Sequence, residues 1–592
     1  MIARRIITVL LLLLFLLVLE LNQNTIWGWI LVVILAAAFF ILWEKGVFRH
    51  HWTLKIASWL LLIGGFIGIL FLTWPPMKRV PAVSSKDPVR TAVVSVTGGQ
   101  VRGVLNETGD VELYTGIPYA APPVGDLRWK EPQDPAPWEG VLEADHFGPM
   151  FQQPRNLPAY YSLYQMIGYH DYQWFNMKDN YRPAVSEDAL YVNVMKPAGD
   201  RKGLPVYVYV HGGSLQTGQP WFADYQGQSM AREGVVYVNM HYRLGVFGYA
   251  ALEELQAESP NGTTGNYGLL DQIKALEWVR DNIEAFGGDP DNVTLGGESA
   301  GAAAVSALCT SPLAKGLFKR VFLESSTVAG KEPPHSFRSL DEALKAGEAL
   351  KKRWNAATLA DLRAIPASEL VASTATEHHM TVDGYALTET PYESYKKGIH
   401  NEEAILHGYN KKESAAFLIF SNASMKNYEA RVRGYFGDYA DEILKLYPAS
   451  TDEEAKEMWA EIYGAVFFDY PHYCLNRLAV ENELPVHEYY FTKENGRIGS
   501  FHSGEEVYFY GNIPERSRLF DENDRALMDK AFGYLTNYIK TGDPNGEGLP
   551  KWPENLDSDS LLELGDKVSV TGESARKLAF FAILDRMQGF GE

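Results

Sequence analysis

The chain has 592 residues, 46% hydrophobic and 22% charged, enough apolar material for a large core and too long for one small domain. Its net charge of −20 argues against nucleic acid as a partner, because an acidic surface repels a polyanion. The two cysteines, Cys309 and Cys474, lie in apolar, helix-like stretches without metal-ligand spacing, so they read as buried, unpaired thiols and not as a metal site.

Three apolar runs precede residue 76: Ile6 to Leu21, Ile26 to Trp43 and Ile56 to Trp74. The last two approach the ~20 residues a helix needs to cross a bilayer. No small-x-small cleavage site follows the first, so all three read as retained transmembrane helices. Arg4 and Arg5 precede the first run, and Lys45, Arg49 and Lys55 sit between the second and third, whereas the first connection, Asn22 to Thr25, has no basic residue. The basic ends belong in the cytoplasm, which puts everything after Trp74 outside. The expected organisation is a membrane region over 1–76, a linker over 77–89 rich in Pro, Ser and Lys, and one large domain over 90–592.

From about Arg90 onward, strand-like runs alternate with helix-like ones. ALYVNVMKP, LPVYVYVHGG and GVVYVNMHYR are short apolar runs rich in Val and Tyr and bounded by turn residues. LLDQIKALEWVRDNIEAFG carries apolar residues at helical spacing and ends on Gly. The alternation predicts an α/β domain with a mostly parallel central sheet flanked by helices.

NVTLGG reads as a strand and AGAAAVSALC as a helix, and between them stands Gly297-Glu298-Ser299-Ala300-Gly301, a G-x-S-x-G pattern. A serine on a sharp strand-to-helix turn is a nucleophile elbow, and the small residues Gly301 to Ala304 allow close helix–sheet packing. A serine alcohol needs a base, and the oxyanion that develops needs donors. The N–H groups of Gly212 and Gly213, in HGGS directly after the strand LPVYVYV, and of Ala300, after the serine, are the donor candidates. An acid and then a histidine are expected downstream. His335, His378, His379, His400, His407, His472, His487 and His502 all qualify by type, and spacing does not choose among them.

The chain resembles the type-B carboxylesterase family, the cholinesterase-like branch of the α/β-hydrolases, in its bacterial, para-nitrobenzyl-esterase-like form. The likeness rests on YTGIPYAAPPVGDLRWKEPQ from Tyr114, SEDALYVNV from Ser186, HGGS from His211, NYGLLDQIKALEWVRDNIEAFGGDPDNVTLGGESAGA from Asn266, YFYGNI from Tyr508 and KTGDPN from Lys540. It implies an α/β-hydrolase fold; the three membrane helices expected before it are not part of the family pattern. It also implies that Glu413, in GYNKKES, is the acid and that His502, in SFHSGEEVYFYG, is the base. Glu298 borders the active site in such proteins, and Arg128 and Glu187 match a structural ion pair. Ala189 stands where the family often has a disulfide cysteine, with Phe151 near the expected partner position, so that bridge is absent. Ser414 replaces a glycine often found after the acid, with little effect expected.

The reaction so implied is hydrolysis of a small-molecule carboxylic ester through an acyl-enzyme, by Ser299, His502 and Glu413, without metal or organic cofactor. The other readings are a membrane-anchored adhesion or receptor protein on an inactive esterase scaffold, and an amidase or carbamate hydrolase with the same triad. Tyr160, Tyr161, Tyr164, Tyr169, Trp174 and Phe175 are candidates to line a gorge, against ordinary packing. The N-terminal helices make membrane lipid the second expected partner, and N-x-S/T sites fall at Asn106, Asn261, Asn292 and Asn422.

Overall fold

The computed structural model describes residues 2–22, 24–48, 51–154, 182–376, 379–419, 421–494, 499–515, 519–554 and 560–590. The six gorge candidates and His378 lie outside these described residues. The chain divides into two compact units, one of Met1–Arg79 with Arg155–Ala184, the other of Val80–Pro154 with Val185–Glu592.

The first unit contains helices α1 (Ile2–Leu21), α2 (Ile26–Glu44) and α3 (Trp52–Leu72). Among the described residues, α2 and α3 are the helices long and apolar enough to cross a membrane, judged by length and composition. Of the three expected spans, two are thus candidates by length and composition; α1 carries Arg4, Arg5 and Glu20 within its length. Leu19, Val32, Ala36, Phe39, Leu62 and Phe66 form the seam among the helices, while Leu60, Leu61, Phe71 and Leu72 point outward and exposed. Helices apolar on both inner and outer faces suit a lipid surround. Arg4 and Arg5 both pair with Glu44. Elsewhere in the bundle the Asn24 side-chain amide donates to Leu70 O at 2.8 Å and to Thr73 Oγ1 at 2.9 Å.

The second unit is built on a thirteen-stranded sheet. Its strands include β1 (Arg90–Val96), β2 (Gly99–Leu105), β3 (Val111–Pro118), β4 (Tyr191–Pro197), β5 (Leu204–Val210) and β6 (Val236–Met240). They continue with β7 (Gly288–Glu298), β8 (Arg320–Glu324), β9 (Ala404–Asn410), β10 (Val486–Phe491), β11 (Ser560–Leu564) and β12 (Val568–Gly572). The spatial order is β12-β11-β10-β9-β8-β7-β5-β6-β4-β3-β2-β1, with the short strand Val141–Glu143 beside β2. Pairings from β6 through β11 are parallel. Those among β1, β2, β3, β4 and β6, and between β11 and β12, are antiparallel. The sheet is thus mixed, and the expected parallel pattern holds for its centre only. Short turns such as the one between β1 and β2 force reversal of direction, whereas a parallel neighbour needs a long crossover.

Strand β5 shows how the layers form. Val206, Val208 and Val210 enter one buried cluster, with helices α4 (Tyr267–Asn282) and α5 (Ala300–Leu308). Tyr207 and Tyr209, on the opposite face, enter another with the late helix Glu522–Thr541. A strand buried on both faces reads as a continuous apolar run, as LPVYVYV does. Both cysteines are buried and unpaired. Ala189 and Phe151 belong to one apolar cluster, so hydrophobic packing occupies that region. Arg128 binds Glu187 in bidentate fashion, at 2.8 and 2.7 Å, and donates to Arg363 O and Ile365 O at 2.9 and 2.8 Å. That pair ties an N-terminal loop to a distant segment of the same unit.

Candidate active site

Ser299 links the end of β7 to the start of α5 with φ +54° and ψ −126°, a left-handed conformation for a residue with a side chain. Such a backbone costs about 1–3 kcal/mol and persists only where its surroundings hold it. Here the Ser299 N–H donates to Glu324 O at 2.9 Å, and the Ser299 carbonyl accepts from Ala303 N at 2.9 Å. The flanking glycines are required by contact. A Cβ on Gly301 would lie 2.1 Å from Val210 O, and one on Gly297 would lie 2.7 Å from the Gly301 carbonyl carbon. Strand β5 therefore passes directly beneath the elbow, and only bare backbone fits between them.

The same strand delivers the donor loop. A Cβ on Gly212 would lie 3.0 Å from Ser299 Cβ, so this backbone stands beside the candidate nucleophile. Gly213 has φ +105°. His211 is buried and anchors the loop: its Nδ1 pairs with Gly212 O at 2.9 Å, its carbonyl accepts from Tyr242 Oη at 2.7 Å, and its ring stacks on Tyr242. Burial lowers its pKa to about 4, which keeps it neutral. Among the described residues, none accepts a hydrogen bond from the N–H of Gly212, Gly213 or Ala300.

Glu413 sits on a tight helical turn just after β9, and His502 on a loop before the short helix Glu506–Phe509. A bond from Lys412 N to Ser500 O, 2.9 Å, aligns the two loops. His502 Nδ1 and Glu413 Oε2 are 2.6 Å apart, and Glu413 Oε1 accepts from Asn410 N at 2.6 Å. Among the described histidines left open by spacing, His502 is thus the one joined to Glu413. His407 and His472 instead pair with each other, Nδ1 to Nδ1 at 2.9 Å. Ser414 has its own partner, Ala460 O at 2.8 Å, and leaves the turn intact.

Burial raises the Glu413 pKa to about 8, opposed by the Asn410 N–H. The second nitrogen, His502 Nε2, is buried and lies 3.1 Å from Glu298 Oε1 without making a hydrogen bond. Glu298 accepts from Ser503 Oγ at 2.6 Å, and burial raises its pKa to about 7. Sequence reasoning placed Glu298 at the site but missed its neighbours. Glu505 accepts from Ser325 Oγ, Asn410 Nδ2 and Tyr489 Oη, Glu506 from Tyr209 Oη, and Glu324 from Tyr510 Oη. The paired carboxyls in SGEEV were the visible signal. Burial first, and then the neighbouring carboxyls, raise the pKa of these acids, to which tyrosine and serine hydroxyls donate. Phe417 and Phe468, both against the His502 ring, were also missed, since nothing in their spacing ties them to it.

A strained serine between sheet and helix, with bare N–H groups on one side and a carboxylate-held imidazole nearby, defines an esterase of the α/β-hydrolase type. Residues 90–581 match the model of the carboxylesterase family, and the chain belongs to that family. It is 31% identical to a fumonisin B1 esterase of Sphingopyxis macrogoltabida over 540 residues, 86% of this chain and 94% of that one. It is 30% identical to the para-nitrobenzyl esterase of Bacillus subtilis over 482 residues, 78% of this chain and 92% of that one. Among solved structures, a carboxylesterase of Geobacillus stearothermophilus superimposes with a TM-score of 0.70 at 29% identity, covering 83% of this chain and 99% of that one. The protein is a carboxylic ester hydrolase, and neither the inactive-scaffold reading nor the amidase reading is favoured.

Proposed function

We propose that Ser299 is the nucleophile, His502 the general base and then acid, and Glu413 the group that orients the imidazole. The Ser299 Oγ bond to the acyl carbon forms, the bond from that carbon to the alkoxy oxygen breaks, and the serine proton passes through His502 Nε2 to the departing alcohol. Water then attacks the acyl-enzyme, its proton returning to Ser299 Oγ by the same nitrogen. The N–H groups of Gly212, Gly213 and Ala300 hold the oxyanion.

The observation that carries this reading is the 2.6 Å contact of His502 Nδ1 with Glu413, in a unit whose serine elbow stands against Gly212. The test is Ser299→Ala in purified protein with a p-nitrophenyl ester. The expected loss in kcat is about 10⁴-fold or more, and a folded variant that keeps the wild-type rate overturns the assignment. Relatives named for fumonisin B1 and for para-nitrobenzyl esters support a small-molecule ester as substrate.

The same reading assigns residues 1–76 to a membrane region of three helices in contact with lipid, 77–89 to a linker, and 90–592 to a hydrolase domain held outside the cell membrane. The outward apolar side chains of the helices support it, as does the placement in sequence of Lys45 and Arg49 between α2 and α3, with Lys55 in the first turn of α3. Added protease should digest the large domain in intact cells, and its protection would contradict the outside location.

A further inference from the structure

We propose that Gln153 is a positioning residue for the oxyanion donors: its side-chain amide fixes the backbone of Gly218, which in turn sets the place of the Gly212 and Gly213 N–H groups. The inference rests on those two groups receiving the oxyanion.

The donor loop turns back on itself. Gly213 O accepts from Gln216 N and Thr217 N, both at 3.0 Å. A Cβ on Gly213 would lie 2.3 Å from Thr217 O, and one on Gly218 would lie 2.4 Å from His211 Nδ1 and 2.5 Å from Gly212 O. Gly218 itself has φ +112°, a conformation that suits glycine. The returning arm, residues 216–218, therefore lies directly behind the donor arm, residues 211–213, with bare glycine backbone at the contacts. Packing this close passes a shift in one arm to the other.

One side chain fastens the returning arm at Gly218. Gln153 Oε1 accepts from Gly218 N at 2.9 Å, and Gln153 Nε2 donates to Gly218 O at 2.8 Å. A carboxamide offers the same donor and acceptor as a peptide unit, so it docks on Gly218 as a neighbouring strand would. Among the described residues, no backbone group bonds to Gly218. The amide is itself held: Nε2 also donates to Phe151 O at 3.1 Å, and Gln153 is 4% exposed. Phe151 lies in the short strand Met150–Phe151, paired with Val185–Ser186, and its buried ring meets that of Phe247 edge-on at 5.8 Å. The apolar core thus reaches the returning arm through this amide.

Beyond Gly218 the arm has separate anchors, since Gln219 O accepts from Tyr225 Oη and Pro220 O from Asn239 Nδ2, both at 2.6 Å. Loss of the Gln153 amide therefore leaves the loop in place and frees Gly218. That locates the effect in the reaction. A neutral ester carbonyl loses little when its donors are displaced, whereas the charge on the tetrahedral intermediate depends on donors held at about 2.7–3.1 Å. A misplacement of about 1 Å costs about 10²-fold in rate. Gln153 acts on kcat and leaves substrate binding alone.

The test compares the full-length wild type with Gln153→Met, which keeps the side-chain length and removes the amide. Each is assayed on p-nitrophenyl butyrate. Each is also titrated with an alkyl trifluoromethyl ketone and with the methyl ketone of the same chain. The trifluoromethyl ketone accepts Ser299 Oγ at its carbonyl carbon, the carbonyl π pair moves to oxygen and the serine proton to His502, so it places an oxyanion in the site; the methyl ketone binds without that step. Gln153→Met should lower kcat about 10- to 100-fold with KM within about threefold. Affinity for the trifluoromethyl ketone should fall by the same factor, and affinity for the methyl ketone should stay within about threefold. Should that variant not fold, Gln153→Asn, polar but too short to reach Gly218, carries the same expectation. An unchanged kcat in folded variant would overturn the proposal. So would equal losses on both ketones with a matching rise in KM, which would mean general damage to the pocket, and so would failure of both variants to fold, which would make Gln153 a residue of the fold alone. A wild type that binds the trifluoromethyl ketone no more tightly than the methyl ketone would instead refute the oxyanion reading beneath it.

Discussion

The two halves of the site are built differently. The half around the proposed nucleophile is backbone: Ser299 stands among Gly212, Gly297 and Gly301, glycines at contacts where no Cβ fits. The base half is side chain: Glu413, His502, Glu298 and Glu505 come from three separate segments and are held by hydrogen bonds among buried polar groups. A backbone site is specified by local sequence and fails sterically, whereas a side-chain network is specified by tertiary structure and fails electrostatically.

Glu413→Gln should have the largest effect in this comparison. It keeps the shape but favours the wrong imidazole tautomer, so kcat should fall about 10⁴-fold with the fold retained. Steady-state kinetics beside near-UV circular dichroism checks both. A variant within tenfold of wild type would show that Glu413 does not govern the base. Gly212→Ala should fall short of this in rate but cost more in structure. Its Cβ would meet Glu298 O at 2.7 Å. The expected result is a kcat loss of about 10²-fold, with about 1–3 kcal/mol of destabilisation in urea. Full stability with full activity would break the contrast between the two halves.

The smallest effect is spread over the buried titratable groups. Burial lowers His211, His335 and His487 to about 4 and His407 to about 3, against 6.5 ordinarily. The fold refuses protons that the unfolded chain accepts, so their contribution is complete above pH 6.5 and is lost as pH falls from there through about 4 to 3. The buried acids act oppositely. Glu298 and Glu505, raised to about 7, are favoured neutral, so their contribution is complete below pH 4.5 and lost as pH rises through about 7. Between pH 4.5 and 6.5 the two trends oppose each other, whereas above pH 6.5 only the acid contribution changes, so Tm should fall from pH 6.5 to 8. A Tm that climbs steadily from pH 6.5 to 8 would show that the carboxyls are not held neutral.

The same contrast explains what the sequence disclosed. The elbow and HGG were legible because each is a local pattern joined to an apolar strand. Histidine spacing left eight candidates, and only family resemblance selected Glu413 and His502, because the loops that join them lie far apart in the chain. The central strands were readable as apolar runs. The antiparallel edge was not weighed, although the short turn between β1 and β2 implies it. The apolar N-terminal runs were plain, and among the described residues two of them, α2 and α3, have the length and composition to cross a membrane. Phe417 and Phe468 were invisible, since ring contacts with His502 depend on a π-helical turn that no apolar periodicity announces.

The most direct test of the central claim is to treat the folded protein with a fluorophosphonate and map the adduct by peptide mass spectrometry. The account predicts a single phosphonylated residue, Ser299, with labelling slowed strongly in Glu413→Gln. An adduct on another residue, or none on folded protein, would contradict it.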